Sequence, residues 1–175
     1  AAPIQVCQKQ IQERGSKDPY CGLKWGVWNT ARVPEFWVVH EVEFYWDYDC
    51  KTKFPPGLPR SSTTNTARTL RQNKNERAWD RDESTYWVSE CNVLTAGCNP
   101  WQHYIGYQIP TDATPVSLDP LQEFATLRCI RFLQSGAATR MTQSVATVVW
   151  ANDTDFGYEL IQEYTDLAGG SWTRR

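Results

Sequence analysis

Long apolar runs are missing from this 175-residue chain. None approaches the roughly 20 residues that cross a bilayer as a helix, so no transmembrane segment is expected. Histidine is nearly absent, with only His40 and His103, and no two cysteines stand in a Cys-x-x-Cys pair. A structural Cys/His zinc cluster needs both and is therefore not expected. There is no Gly-x-Ser-x-Gly elbow to raise a serine nucleophile and no glycine-rich loop to cradle phosphates. Excess positive charge is lacking too: the net charge is −2, whereas a nucleic-acid-binding domain wants a strongly basic surface. No apolar stripe of helical period reaches twelve residues, which argues against a bundle.

Aromatic rings are abundant instead, at 13% of residues, with nine Trp against one Met. Rings suit the pleated, half-buried surfaces of sheets. The stretch Ala78–Glu90, AWDRDESTYWVSE, and the later Trp101–Ile109, WQHYIGYQI, need a two-layer β core to cover their rings. A chain of this length makes one domain able to bury a substantial core. The expected core includes Val42, Phe44, Trp79, Trp87, Trp101, Ile105, Ile130 and Trp150.

Residues 1–34 read as a short N-terminal extension, with a helical pattern over Ile4–Glu13 and a strand-like Trp25–Trp28. The sandwich is expected over 35–175. In Trp37–Trp46 the alternation puts Val38, His40, Val42, Phe44 and Trp46 on one face, expected inside. Trp37, Val39, Glu41, Glu43 and Tyr45 share the other. Further strands follow at Thr126–Gln134, Ser144–Trp150, Tyr158–Tyr164 and the final SWTRR, each bounded by turn residues. The expected fold is an all-β antiparallel jelly-roll sandwich of about eight core strands.

Six cysteines, Cys7, Cys21, Cys50, Cys91, Cys98 and Cys129, fit disulfides and an oxidising, non-cytosolic compartment. Among the fifteen pairings open to six cysteines, Cys7–Cys21, Cys50–Cys129 and Cys91–Cys98 form one coherent set. The opening Ala1-Ala2-Pro3 looks like a processed end, and Asn152-Asp153-Thr154 is a glycosylation acceptor on a secretory route or else a plain turn.

Charge is unevenly spread. Lys51, Lys53, Arg60, Arg68, Arg71, Lys74 and Arg77 face only Glu76, whereas 78–123 is acidic, with Arg81 its one cation. The basic connection, with Phe54 and Leu58 at a Pro-punctuated apolar tip, is expected to dock on an acidic partner or an anionic headgroup, the tip inserting or folding down as a lid. The alternative is a solvated loop. Asp80 and Asp82, two apart on a turn, suit Ca²⁺ or accept backbone N–H groups and fix the turn; no other cofactor is expected. Glu41 and Glu43, about 7 Å apart along one strand face, have a spacing known from glycoside hydrolases. Two neighbours on one strand do not flank a sugar from opposing sides, however. His40 and His103 read as packed or hydrogen-bonded histidines.

The order of several segments resembles the discoidin (coagulation-factor type C) family of the galactose-binding-like superfamily. WVVHEVEFYWDYDC is similar to its first core strand, and Ala-Trp-Asp…Ser-Thr-Tyr-Trp-Val-Ser to its Ala-Phe-Asp-Gly-Asp…Thr-x-Trp-x-Ser segment. CIRFLQSG and YELIQEY…GGSWTRR resemble later strands. The variant most resembles copies common in dinoflagellates and related algae. Arg81 stands where the family has glycine, and the usual clamp between the two ends has no counterpart. The resemblance implies an eight-stranded jelly roll and binding rather than catalysis. The resulting expectation is a non-enzymatic module docking through loops 50–60, 68–82 and 111–121 onto protein subunits of a larger complex, such as an algal photosystem in the thylakoid lumen. A secreted glycan- or lipid-binding domain is the rival, and a glycoside hydrolase a third.

Overall fold

The computed structural model describes residues 24–62, 74–91, 97–108, 127–150 and 159–175, with Trp150 and Glu159 described by backbone alone. Two antiparallel sheets form a sandwich. The strands are β1 (Lys24–Asn29), β2 (Val38–Tyr45), β3 (Leu58–Ser61), β4 (Trp87–Val88), β5 (Tyr104–Gln108), β6 (Cys129–Gln134), β7 (Val145–Trp150), β8 (Glu159–Tyr164) and β9 (Thr173–Arg174). One sheet has the order β3-β5-β1-β7-β8 and the other β4-β2-β6-β9. A 3-10 turn, Asn75–Trp79, precedes β4.

The segment expected as an extension supplies the centre of the larger sheet. β1 pairs along its length with both β5 and β7, so the sandwich begins at or before Lys24 rather than at 35. Trp25 and Val27 point into the core, and Trp28 faces out beside Tyr104, Ala146 and Val148.

β2 departs from simple alternation. Its pairing with β6 slips between Val39 and Glu41, a β-bulge. One extra residue reverses which parity faces inward. Trp37 and Val39 are core residues before the bulge; Val42, Phe44 and Trp46 are core residues after it. Val38 and His40, expected inside with the latter group, lie elsewhere. Val38 packs in a separate small cluster with Phe36, Val88 and Tyr86. His40 Nδ1 lies 2.8 Å from the Glu83 carbonyl, its ring edge-on to Tyr86.

Rings join the sheets. Trp46 stacks on Phe54 at 3.7 Å, and Trp25 meets both edge-on. Phe44 packs against Phe54 and Trp79. A second group centres on Trp37, with Trp87 and Phe132. The Trp37 indole N–H donates to Gln134 Oε1 (3.1 Å), which also accepts the Thr142 N–H (3.0 Å), while Gln134 Nε2 donates to the Thr142 carbonyl. These polar groups are sealed from water, so satisfying them is what makes their burial tolerable.

Two of the expected disulfides form. Cys50–Cys129 ties the turn after β2 to β6 (Cα–Cα 5.5 Å), and Cys91–Cys98 closes a short loop (5.1 Å). Cys7 and Cys21 lie outside the described residues. Gly97 precedes the second half-cystine with φ +79°, and a Cβ there would sit 2.1 Å from the Val33 carbonyl oxygen. Only glycine fits both the dihedral and the space.

Of the expected core, Val42, Phe44, Trp87, Ile105 and Ile130 are buried and Trp79 packs against them. Trp101 does not: it is 46% exposed. The side chain of Trp150 is outside the description. Among the described residues no helix is long and apolar enough to cross a membrane.

Trp37→Ala is expected to cost about 3–5 kcal/mol, because it opens a cavity and strands Gln134 without its indole donor. Equilibrium urea unfolding measures this; a loss under 1 kcal/mol would show that the Trp37 group is not central.

Candidate functional site

A cleft of about 260 Å³ opens between the two sheets. β2 contributes Glu41, Val42 and Phe44, the segment leading to β3 adds Lys53, Phe54 and Pro56, and β5 adds Tyr107. Trp79 and Arg81, at and after the 3-10 turn, close the remaining side. Trp79 lies tilted on Tyr107 at 4.7 Å, and the Tyr107 hydroxyl accepts the Gly57 N–H. Phe54, expected at an apolar tip, is folded down as a lid, because Trp46 and Phe44 offer it more contact than solvent does. Leu58 stays partly exposed.

Glu41 is only 2% exposed. Its side chain reaches the 80–82 turn, where Oε1 accepts the Asp82 N–H at 3.0 Å. Burial, then the hydrogen bond and repulsion from Asp80, push its pKa up to about 8. Asp80 titrates below the ordinary aspartate value: burial opposes its ionisation, but the Thr85 hydroxyl, the Asp82 N–H, Glu41 and Arg77 outweigh it. The two carboxyls thus share one proton at neutral pH, Glu41 holding it. Glu43 has the opposite fate. It faces away from the core and accepts from Lys53 Nζ (2.8 Å), Tyr45 OH (2.8 Å) and Arg131 (3.1 Å), donors that overcome burial and lower its pKa. Glu41 and Glu43 both follow the bulge in unbroken register with β6, but they engage different partners, the Asp82 N–H for Glu41 and Lys53, Tyr45 and Arg131 for Glu43.

The Asp80 and Asp82 side chains are engaged in the turn. Asp80 accepts the Asp82 N–H and the Thr85 hydroxyl; Asp82 accepts the N–H and hydroxyl of Ser84. Arg81 between them adopts φ +63°, the conformation a glycine would take without cost. Cys91, Cys98 and His103 hold potential ligand atoms within 4.8 Å of one another, but both sulfurs are spent on the disulfide. His103 is buried, its Nδ1 2.9 Å from Ser62 Oγ, and burial lowers its pKa.

The basic connection is not a free cationic arm where it is described. Lys53 pairs with Glu43, Arg77 with Asp80 at 3.5 Å, and Arg60 donates to Gln108. Lys51 and Lys74 are exposed. Arg68 and Arg71 lie outside the described residues, as does the loop 111–121.

A second concavity lies on the outer face of the five-stranded sheet. Trp28, Trp101, Val148 and Leu160 line a groove of about 280 Å³. Trp101 takes φ +61°, an uncommon state for a bulky residue, and its N–H donates to the Asn29 carbonyl at 2.6 Å. That bond anchors the turn against β1 and leaves the ring standing at the groove. Leu160, on the edge strand β8, is 54% exposed. Sequence reading placed Trp101 in the core because it precedes a ring-rich strand; the Asn99-Pro100 turn signal before it marked it as a loop residue.

Comparison with protein-family models, with curated proteins and with solved structures gave no match.

Glu41 carries a raised pKa, so the folded state holds a proton that the unfolded chain releases near the ordinary value of 4.5. Its contribution is full below about pH 4.5 and is lost as pH rises towards about 8. Melting temperature is expected to fall over that window, and Glu41→Gln is expected to flatten the fall. An identical pH profile in the variant would refute the assignment.

Proposed function

We propose that this protein is a non-enzymatic binding module that docks on a protein partner through the groove on its five-stranded sheet. The observation that carries this reading is Trp101, held at a left-handed dihedral with its ring exposed beside Leu160, Trp28 and Val148. A folded chain places a large ring in water at a cost, and contiguous exposed apolar surface marks interaction sites. The lining is made of four apolar side chains. A sugar needs several hydrogen-bonding groups from its site; an apolar or aromatic side chain of a protein partner needs a pocket of this kind, and Trp is the residue type most often found as an interface anchor.

The interlayer cleft supports a glycan as second reading, since it sets Trp79 and Tyr107 beside Glu41, Lys53 and Arg81. The hydrolase reading has no such support from Glu41 and Glu43, which point to different partners. Two disulfides are compatible with an oxidising, non-cytosolic compartment. The resemblance to algal discoidin-like domains supports an accessory subunit, with the thylakoid lumen beside a photosystem as its concrete home, over a secreted adhesion domain.

Gentle isolation of the tagged protein from its source is expected to bring down a stoichiometric partner. Trp101→Ala with Leu160→Ala is expected to weaken that contact by about 2 kcal/mol or more, ~30-fold in affinity, with the melting temperature nearly unchanged. A partner retained at full affinity would overturn the groove assignment, and saturable glycan binding lost on Trp79→Ala would favour the cleft.

A further inference from the structure

The turn that carries Trp101 is flanked by a buried cluster of soft and nitrogenous ligand groups. Cys91, Cys98 and His103 each offer one ligand atom, and these atoms lie within 4.8 Å of one another. None of the three residues is more than 4% exposed. They are not a Cys-x-x-Cys motif of the sequence; the fold assembles them. Cys98 exchanges backbone hydrogen bonds with Val33 at 2.8 and 3.0 Å. The His103 N–H donates to Asn29 Oδ1, and the Asn29 N–H donates to the His103 carbonyl. Ser62 Oγ, 2.9 Å from Nδ1, sets the plane of the imidazole ring. None of these contacts depends on the Cys91–Cys98 bond, so Cys98 and His103 keep their places when that bond is open.

A hydroxyl is already aimed at the two sulfurs. Ser89 Oγ lies 2.9 Å from Cys91 Sγ and 3.4 Å from Cys98 Sγ. It accepts the Trp37 N–H at 2.9 Å. Disulfide sulfurs carry no hydrogen, so the Ser89 hydroxyl is the donor towards them. A neutral sulfur is a weak acceptor, whereas an ionised acceptor is a strong one. A buried O–H fixed on both sulfurs therefore suits their thiolate form. Thiolates sealed from water need a compensating charge, which a coordinated metal supplies. Among the described residues Cys50 and Cys129 belong to no such ligand cluster.

We propose that in the dithiol form Cys91, Cys98 and His103 bind Zn²⁺, with Ser89 donating a hydrogen bond to thiolate sulfur. Two thiolates and an imidazole are ligands of zinc, and the fourth tetrahedral position falls to water. Zinc holds S and N ligands about 3.5–4 Å apart, so about 1 Å of side-chain movement closes the set. A phosphine reductant opens the S–S bond: phosphorus takes an oxygen from water, becoming the phosphine oxide, and the two sulfurs take the water's protons. Zn²⁺ then displaces both thiol protons to solvent as the two Zn–S bonds form. The ion would join Cys98 to His103, so the turn carrying Trp101 stays clamped at both ends when the disulfide is open.

The test uses the full chain, reduced with a phosphine, and Co²⁺ as the spectroscopic probe of the zinc site. Saturable d–d bands and a sulfur-to-cobalt charge-transfer band are expected, both displaced by Zn²⁺; the oxidised chain is expected to show neither. Zn²⁺ is also expected to protect Cys91 and Cys98 from alkylation, but not Cys50 and Cys129, read peptide by peptide in mass spectrometry. Ser89→Ala is expected to weaken Zn²⁺ binding about tenfold while keeping the charge-transfer band. His103→Gln is expected to weaken it at least as much and to shift the d–d bands. No charge-transfer band in the reduced chain would overturn the inference. So would alkylation protection that is absent or spread evenly over these cysteines, or full affinity in both variants. The alkylation readout uses the unmodified chain and so stands even where a variant fails to fold.

Discussion

One extra residue in β2 constrains both the cleft and the outer face. A strand that alternated without interruption would put Trp37 and Val39 on the face opposite Val42, Phe44 and Trp46, and would bury His40 with the latter. The slip against β6 between Val39 and Glu41 instead lets Trp37 and Val39 enter the core from one parity and Val42, Phe44 and Trp46 from the other. After the slip Glu41 and Glu43 share one parity; Glu41 meets the 80–82 turn and Glu43 meets Arg131. Two glutamates two positions apart thus acquire opposite chemistry, one holding a proton at neutral pH and the other ionised among donors. Bulges recur beside functional sites because they re-aim side chains.

Satisfaction of buried polar groups accounts for much of the remaining specificity. Gln134 is sealed in the core yet bonds the Trp37 indole and both backbone groups of Thr142. Ser89 serves the Trp37 backbone N–H from the other side. Rings supply area but little direction, whereas these bonds choose one arrangement of the two sheets. The ring stack of Trp25, Trp46 and Phe54 then covers the far end, with Phe54 brought down by the segment that leads to β3.

Internal pairing also reassigns the charges. Most described cations of the basic connection are matched within the fold, since Lys53, Arg60 and Arg77 find acceptors close by. Strand register brings Arg131 and Arg174, from segments far apart in the chain, side by side, and Arg131 pairs with Glu43. The Trp101 groove lies on the outer face of the other, five-stranded sheet.

The β class, the two-layer arrangement, the expected burial of Val42, Phe44, Trp87, Ile105 and Ile130, and the pairing of Cys50 with Cys129 and Cys91 with Cys98 were legible in the residues alone. Ring content, turn residues and cysteine spacing are local properties and survive folding unchanged. The central place of β1, the bulge at His40, the exposure of Trp101 and the fate of each charge were not legible. Each depends on which strand lies alongside, and that is decided by contacts between residues as far apart as Glu43 and Arg131. Composition and period determined that this chain makes a sandwich; register between distant strands decided where it presents an acid, a ring or a pair of arginines.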